Sequence, residues 1–161
     1  MTFLDWDHVC EGQTTVALDA EWKYAGNSSL RHSGTGRVVS SRKNFSASEV
    51  RVEVWISASC IGYWGTHGTA IVFHPSYGEL QLLRMEVTGK PPFVKKRATF
   101  WYDSPNDTRW GRVEVWNGEE WVQEGYDVNF GTGAPAAGTI SLIGSMNSGT
   151  VWWDEVEVYT R

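Results

Sequence analysis

Apolar and polar residues alternate with period two through most of this chain. Val50, Val52, Val54 and Ile56 form one side of the run Val50–Ser57, and Arg51, Glu53 and Trp55 form the other. Thr69–His74 reads as a second strand, which Pro75-Ser76-Tyr77-Gly78 turns into a third over Glu79–Val87. Ala98–Tyr102 is a short strand and Arg109–Trp116 a longer one. The Asn117-Gly118 pair that follows favours a type I′ hairpin, because that turn needs positive φ at both central residues. Its return strand falls around Glu120–Gln123, and Gly138–Ile143 and Val151–Tyr159 complete the set. Helical periodicity is confined to about one turn, at Ser46–Val50. Thr88–Arg97, with Pro91-Pro92, Lys90, Lys95, Lys96 and Arg97, reads as a solvated loop and a local basic patch.

Many short strands at near-regular spacing predict an all-β chain, a two-sheet antiparallel β-sandwich or jelly roll. At 161 residues it is long enough for one domain with a full core, and 1–161 is read as a single sandwich. The net charge of -5 argues against a duplex nucleic-acid binder. No apolar run approaches the ~20 residues that a membrane-crossing helix needs. The first residues are acidic and lack an apolar leader core, so no signal peptide is expected. That fits cytoplasmic synthesis with assembly into a virion or onto a surface, or a piece cut from a longer secreted chain. Cys10 and Cys60 allow one disulfide or two buried thiols, and with no Cys-x-x-Cys pair a structural zinc site is not expected.

Two segments carry a resemblance. Ala17-Leu18-Asp19 leads into Tyr24-Ala25-Gly26-Asn27-Ser28-Ser29-Leu30-Arg31, and the chain closes on Val151-Trp152-Trp153-Asp154-Glu155-Val156-Glu157-Val158. Their order resembles the opening Gly-x-x-Ser-Leu strand and the closing aromatic-Asp-Asp-Val strand of jelly-roll carbohydrate-binding modules and of concanavalin A-like and laminin-G-like domains. Glu155 stands where the second Asp would be. The Trp-rich hairpin Arg109–Trp121 and the glycine-led strand from Gly138 fit the same outline. The resemblance implies a two-sheet sandwich. It also implies a structural calcium ion in many members, with Asp154 as one ligand and partners among Asp5, Asp7 and Glu11.

The residues offer an argument of their own about Asp154. It shares strand parity with Val156 and Val158, which read as core. An inward carboxylate needs either a cation or several donors, because an unpaired buried charge is costly. Calcium, backbone N–H groups and an arginine all meet that need.

Ten tryptophans exceed what a sandwich core of this size needs. Trp55 lies on the charged side of its strand, with Glu53, and Trp116 shares a side with Arg112 and Glu114. Indoles can stack on sugar rings there while the charged groups bond hydroxyls; a second packing layer is the alternative. Tyr63 and Trp64, in the glycine-flanked segment Cys60–Gly68, either project at the rim or plug the core. Trp6, Trp22, Trp101, Trp110 and Trp153 read as core or edge cover.

No Glu-x-Asp-x-x-Glu, Gly-x-Ser-x-Gly, phosphate loop or His-Glu-x-x-His is present, and an enzyme is not expected. Two functions are open. One is a non-catalytic glycan-binding or adhesion module using Trp55, Trp116, Tyr63, Trp64, Glu53, Glu114 and Arg112. The other is a structural or decoration subunit of a virion or other assembly, a homo-oligomer or a capsid or tail lattice, with surplus aromatics as protein-interface anchors.

Overall fold

A computed structural model describes residues 6–45, 48–61, 68–75, 81–85, 93–134, 138–146 and 148–161. Ten strands lie among them: β1 (Asp7–Asp19), β2 (Ser29–Phe45), β3 (Glu49–Ile61), β4 (Gly68–Pro75), β5 (Gln81–Arg84), β6 (Val94–Asp103), β7 (Thr108–Trp116), β8 (Trp121–Thr132), β9 (Gly138–Met146) and β10 (Ser148–Thr160). Every pairing is antiparallel, in the order β5-β4-β9-β2-β10-β3-β6-β7-β8, with β1 also on β2. The one helical element among the described residues is a 3-10 turn, Ser104–Asn106.

The sheet folds over on itself. β9 ends opposite Gly36 and β10 takes up opposite Ser33, so the two follow one another along β2. β3 and β4 follow one another along β10 and β9 in the same way. One half (β9, β4, β5) therefore faces the other (β10, β3, β6, β7, β8), and the sheet is nearly closed into a barrel. The apolar sides meet inside. Val50, Val52, Val54 and Ile56 of β3 pack with Ile71 and Phe73 of β4, Phe100 of β6, Ile140 and Leu142 of β9, and Val151 and Trp153 of β10.

The fold line needs glycine. Gly12, Gly34 and Gly36 all have positive φ, and Gly12 pairs with Gly36 across β1 and β2. A Cβ on Gly34 would lie 2.0 Å from the Gln13 carbonyl oxygen, and one on Gly36 would lie 2.2 Å from that of Glu11. Backbones cross there at a distance that no side chain allows.

The alternating runs on β3, β4, β7, β9 and β10 form strands as their pattern predicts. Other segments differ. β1 and β2 are long strands with little alternation, because β1 is exposed for most of its length and β2 crosses the fold line. Glu49 and Val50 belong to β3 rather than to a capped turn. Val94–Arg97 is strand, not loop: pairing with β3 and β7 places Lys95 and Arg97 outward and Lys96 inward. The Asn117-Gly118 turn is longer than a two-residue type I′ turn. Trp116 pairs with Trp121, and the Asn117 side-chain oxygen accepts from the Glu119 and Glu120 N–H groups. Cys10 is free and exposed on β1.

Candidate functional site

Residues paired directly across antiparallel strands point to the same side. On the outer side of the half formed by β10, β3, β6, β7 and β8, the registers build successive rows about 7 Å apart. One row runs Asp154, Trp55, Lys95, and beside Lys95 comes Trp116, one position beyond the last β6–β7 pair; Trp121 faces Trp116. The next row is Glu157, Glu53, Arg97, Glu114 and Gln123. The third is Tyr159, Arg51, Thr99 and Arg112, and the fourth holds Glu49, Trp101 and Trp110. A charged floor thus lies between two aromatic rows.

Trp55, Trp116, Glu53, Glu114 and Arg112 share this face, as their strand parity predicts. Tyr63 and Trp64 lie outside the described residues.

Trp55 is not a bare platform. The segment 20–28 folds back over the sheet, and Tyr24 stacks on Trp55 with ring centroids 3.6 Å apart and planes 12° from parallel. Tyr24 and Trp22 are the rings presented to solvent, 49% and 47% exposed. Trp22, expected as core or edge cover, instead stacks on Phe93 and tilts against Trp152. Its indole N–H donates to Ser57 Oγ at 3.2 Å. Together with Asp19, Glu21, Ser57, Ala58 and Ser59, these two indoles line a cleft of about 360 Å³ beside the Trp55 row. Trp6 and Trp153 are core, while Trp101 and Trp110 stack on the outer face.

Two carboxylates hold that segment down. Asp19 accepts from the Glu21 and Trp22 N–H groups and from the Trp152 indole at 2.9 Å. These donors, the Trp152 indole first, hold its carboxyl below the usual carboxylate range. Asp154 accepts from the N–H groups of Tyr24 at 2.7 Å, Ala25 at 3.1 Å and Glu155 at 2.8 Å.

Asp154 does not share the side of Val156 and Val158. The register shifts between Asp154 and Glu157, and Glu155 sits at φ 46, so a β-bulge reverses the parity. Asp154 is buried under the folded-back segment on the outer face, and backbone N–H groups meet its need for donors. The other expected ligands are not beside it. Asp7 pairs with Ser41 and Glu11 with Arg37, whereas Asp154 adjoins the Leu30 end of β2; the Asp7 end of the ribbon is roughly 35 Å along the strand from there. Glu11 is taken by a two-pronged bond to Arg37. Asp5 lies outside the described residues. Among the described residues no three His, Cys, Asp or Glu side chains converge as a metal site.

The charged floor is closely coupled. Arg97 donates to Glu114 at 2.8 Å and lies 3.6 Å from Glu53. Lys95 and Arg51 approach the same Glu53 at 3.6 and 3.7 Å. Arg112 forks onto Asp127 with two bonds of 2.7 Å, which holds the Asp127 carboxyl below its ordinary range. Arg97 lies over the Trp121 ring at 4.2 Å and Lys95 over the same ring at 5.5 Å. Lys95 and Arg97 are thus part of the face, while Lys96 between them points inward; only their alternation in a strand could have shown it.

No protein-family model and no curated protein matches the sequence. Solved structures do match in fold. A cellulose-induced protein, Cip1, aligns with a TM-score of 0.62 at 16% identity, over 100% of this chain and 94% of that one. An endo-β-1,4-glucuronan lyase from the fungus Trichoderma reesei gives 0.60 at 13%, over 98% and 92%. The carbohydrate-binding module TmCBM61, in complex with β-1,4-galactotriose, gives 0.53 at 12%, over 99% and 90%. The likeness is one of fold: this chain is an all-β jelly roll of the kind that carbohydrate-binding modules adopt.

Proposed function

We propose that this chain is a non-catalytic glycan-binding module whose ligand lies along the outer face of β3, β6, β7 and β8. The observation that carries the reading is the pairing of aromatic rows with a floor of charged hydrogen-bonding groups on one sheet face. Tyr24 over Trp55 and the Trp116–Trp121 pair offer apolar ring surface. Glu53, Arg97, Glu114 and Arg112 between and below them supply donors and acceptors for hydroxyl groups. The carbohydrate-binding modules that share the fold support the same reading. Its non-catalytic part is supported by the engagement of Glu53 and Glu114 with Arg97 between them, rather than across an open cleft as a glycosidase pair would stand.

Titration of a polysaccharide panel, followed by tryptophan fluorescence, tests this. Tyr24→Ala and Trp121→Ala are each expected to weaken binding roughly 30-fold, about 2 kcal/mol, as loss of a central aromatic contact does. Tyr126→Ala is the control: Tyr126 is 94% exposed but lies beside the gap between β5 and β8. Incubation with a bound polysaccharide is expected to release no new reducing ends. No binding to any glycan of the panel, neutral or acidic, would overturn the proposal.

A further inference from the structure

The cations of this face are not matched by its anions in hydrogen-bonding terms. Arg112 spends its fork on Asp127, and Arg97 spends Nε on Glu114. Arg51, Lys95 and Arg97 then share Glu53, all at 3.6–3.7 Å, beyond direct hydrogen-bond length. The Arg51 and Lys95 side chains donate no hydrogen bond to any described residue; Arg51 Nε is buried without a hydrogen-bond partner, its guanidinium lying over the Tyr159 ring at 4.8 Å. Glu157, at the margin, accepts from the Tyr159 hydroxyl at 2.6 Å. An ammonium brings three donors and a guanidinium five, more than the two carboxylate oxygens of Glu53 can take, so the cations at the centre of the face have donors to spare. This occurs on a chain of net charge -5, so the cluster is local and not a share of general basicity.

Lys95 has a particular place. It stands in the aromatic row, with Trp55 on the neighbouring strand on one side and Trp116 on the other, each about 5 Å away in strand spacing. A sugar ring lying on Tyr24 or Trp121 would carry its substituents over Lys95. A neutral sugar offers hydroxyls that both donate and accept, whereas a carboxylate or sulfate ester only accepts and makes the stronger charge-assisted bonds.

Resting on the glycan-binding reading above, the geometry points to an acidic glycan as the ligand, its acid group seated on Lys95 with Arg97 and Arg51 behind. Two sources share that chemistry, uronic acids and sulfate esters.

The experiment compares matched pairs by calorimetric titration at 50 and 300 mM NaCl: an oligogalacturonate against its methyl ester, and a sulfated galactan against its desulfated form. The acidic member of at least one pair is expected to bind at least tenfold more tightly, with the preference shrinking in high salt. The pair that shows it identifies the source. Lys95→Gln is expected to lower the acidic member's affinity about tenfold relative to the neutral member's, removing the preference, and Lys95→Arg to keep it; thermal unfolding of both variants checks that they fold. Equal binding of acidic and neutral members, or a preference that survives Lys95→Gln, overturns the acidic-ligand proposal and leaves glycan binding standing. No binding to any glycan overturns both.

Discussion

Asp154 joins two parts of the chain that are 130 residues apart through the backbone N–H groups of Tyr24 and Ala25, and it also accepts from the N–H of its neighbour Glu155. Its replacement by Ala would leave buried donors unmatched. Asp154→Ala is expected to cost about 3 kcal/mol in urea unfolding, since each orphaned buried donor costs roughly 1–3 kcal/mol and the segment relaxes in part. It would also free Tyr24 from Trp55. His32 sets a second residue-scale expectation. It is fully buried, accepts from the Trp153 indole on Nδ1 and donates from Nε2 to Ser40 Oγ, which is also hydrogen-bonded to His8 Nδ1. Burial, with His8 nearby, lowers its pKa to about 3. The depressed value means that the neutral form is the folded one. Its contribution is complete above the unfolded value near 6.5 and is lost as pH falls from there toward 3, at about 1.4 kcal/mol per pH unit. Urea midpoints across pH 7 to 4 should fall accordingly, and His32→Gln should flatten that dependence.

At the scale of elements, the bend shared by β1 and β2 depends on glycine. Gly34→Ala is expected to cost about 3 kcal/mol or more, or to prevent folding, because φ is +113 and the Cβ would meet a backbone oxygen at 2.0 Å. Gly125→Ala, at φ +69 with nothing within 4 Å of its Cβ, is expected to cost only about 1 kcal/mol. Comparison of the two by urea unfolding separates close approach from backbone strain. On β6 the run Lys95-Lys96-Arg97 alternates out, in, out. Lys96 is buried and its ammonium bonds both oxygens of Glu124. Glu124→Ala is expected to destabilise by about 1–3 kcal/mol, the lower end reflecting Glu124's partial exposure.

At the scale of the whole molecule, both halves of the sheet are tied together by shared strands. β2 pairs with β9 over part of its length and with β10 over another, and the core draws on both halves. Unfolding is therefore expected to be a single transition, with circular dichroism, tryptophan fluorescence and calorimetry giving one midpoint. Two separated transitions would show that the halves are independent. The outer face proposed for the glycan is a product of the same closure. Its residues come from the 20–28 segment, β3, β6, β7, β8 and β10, and only the paired sheet brings them side by side.

Which residues of β3 and β7 face outward was legible in the sequence, because alternation is a local property of an extended backbone. Hence Trp55, Glu53, Arg112, Glu114 and Trp116 could be read together before any pairing was known. Lys95 and Arg97 could not, since three cations in succession carry no hydrophobic pattern and read as a loop. Tyr24 covers Trp55, and the bulge at Glu155 turns Asp154 to the outer face. Both arise from contacts across 31 to 130 residues, and tertiary pairing alone decides them. The chain's own pattern determined an antiparallel sandwich with aromatic and charged residues on one outer side. The folded sheet decided which ring is presented, which carboxylates are already taken, and where a cation is left with donors to offer.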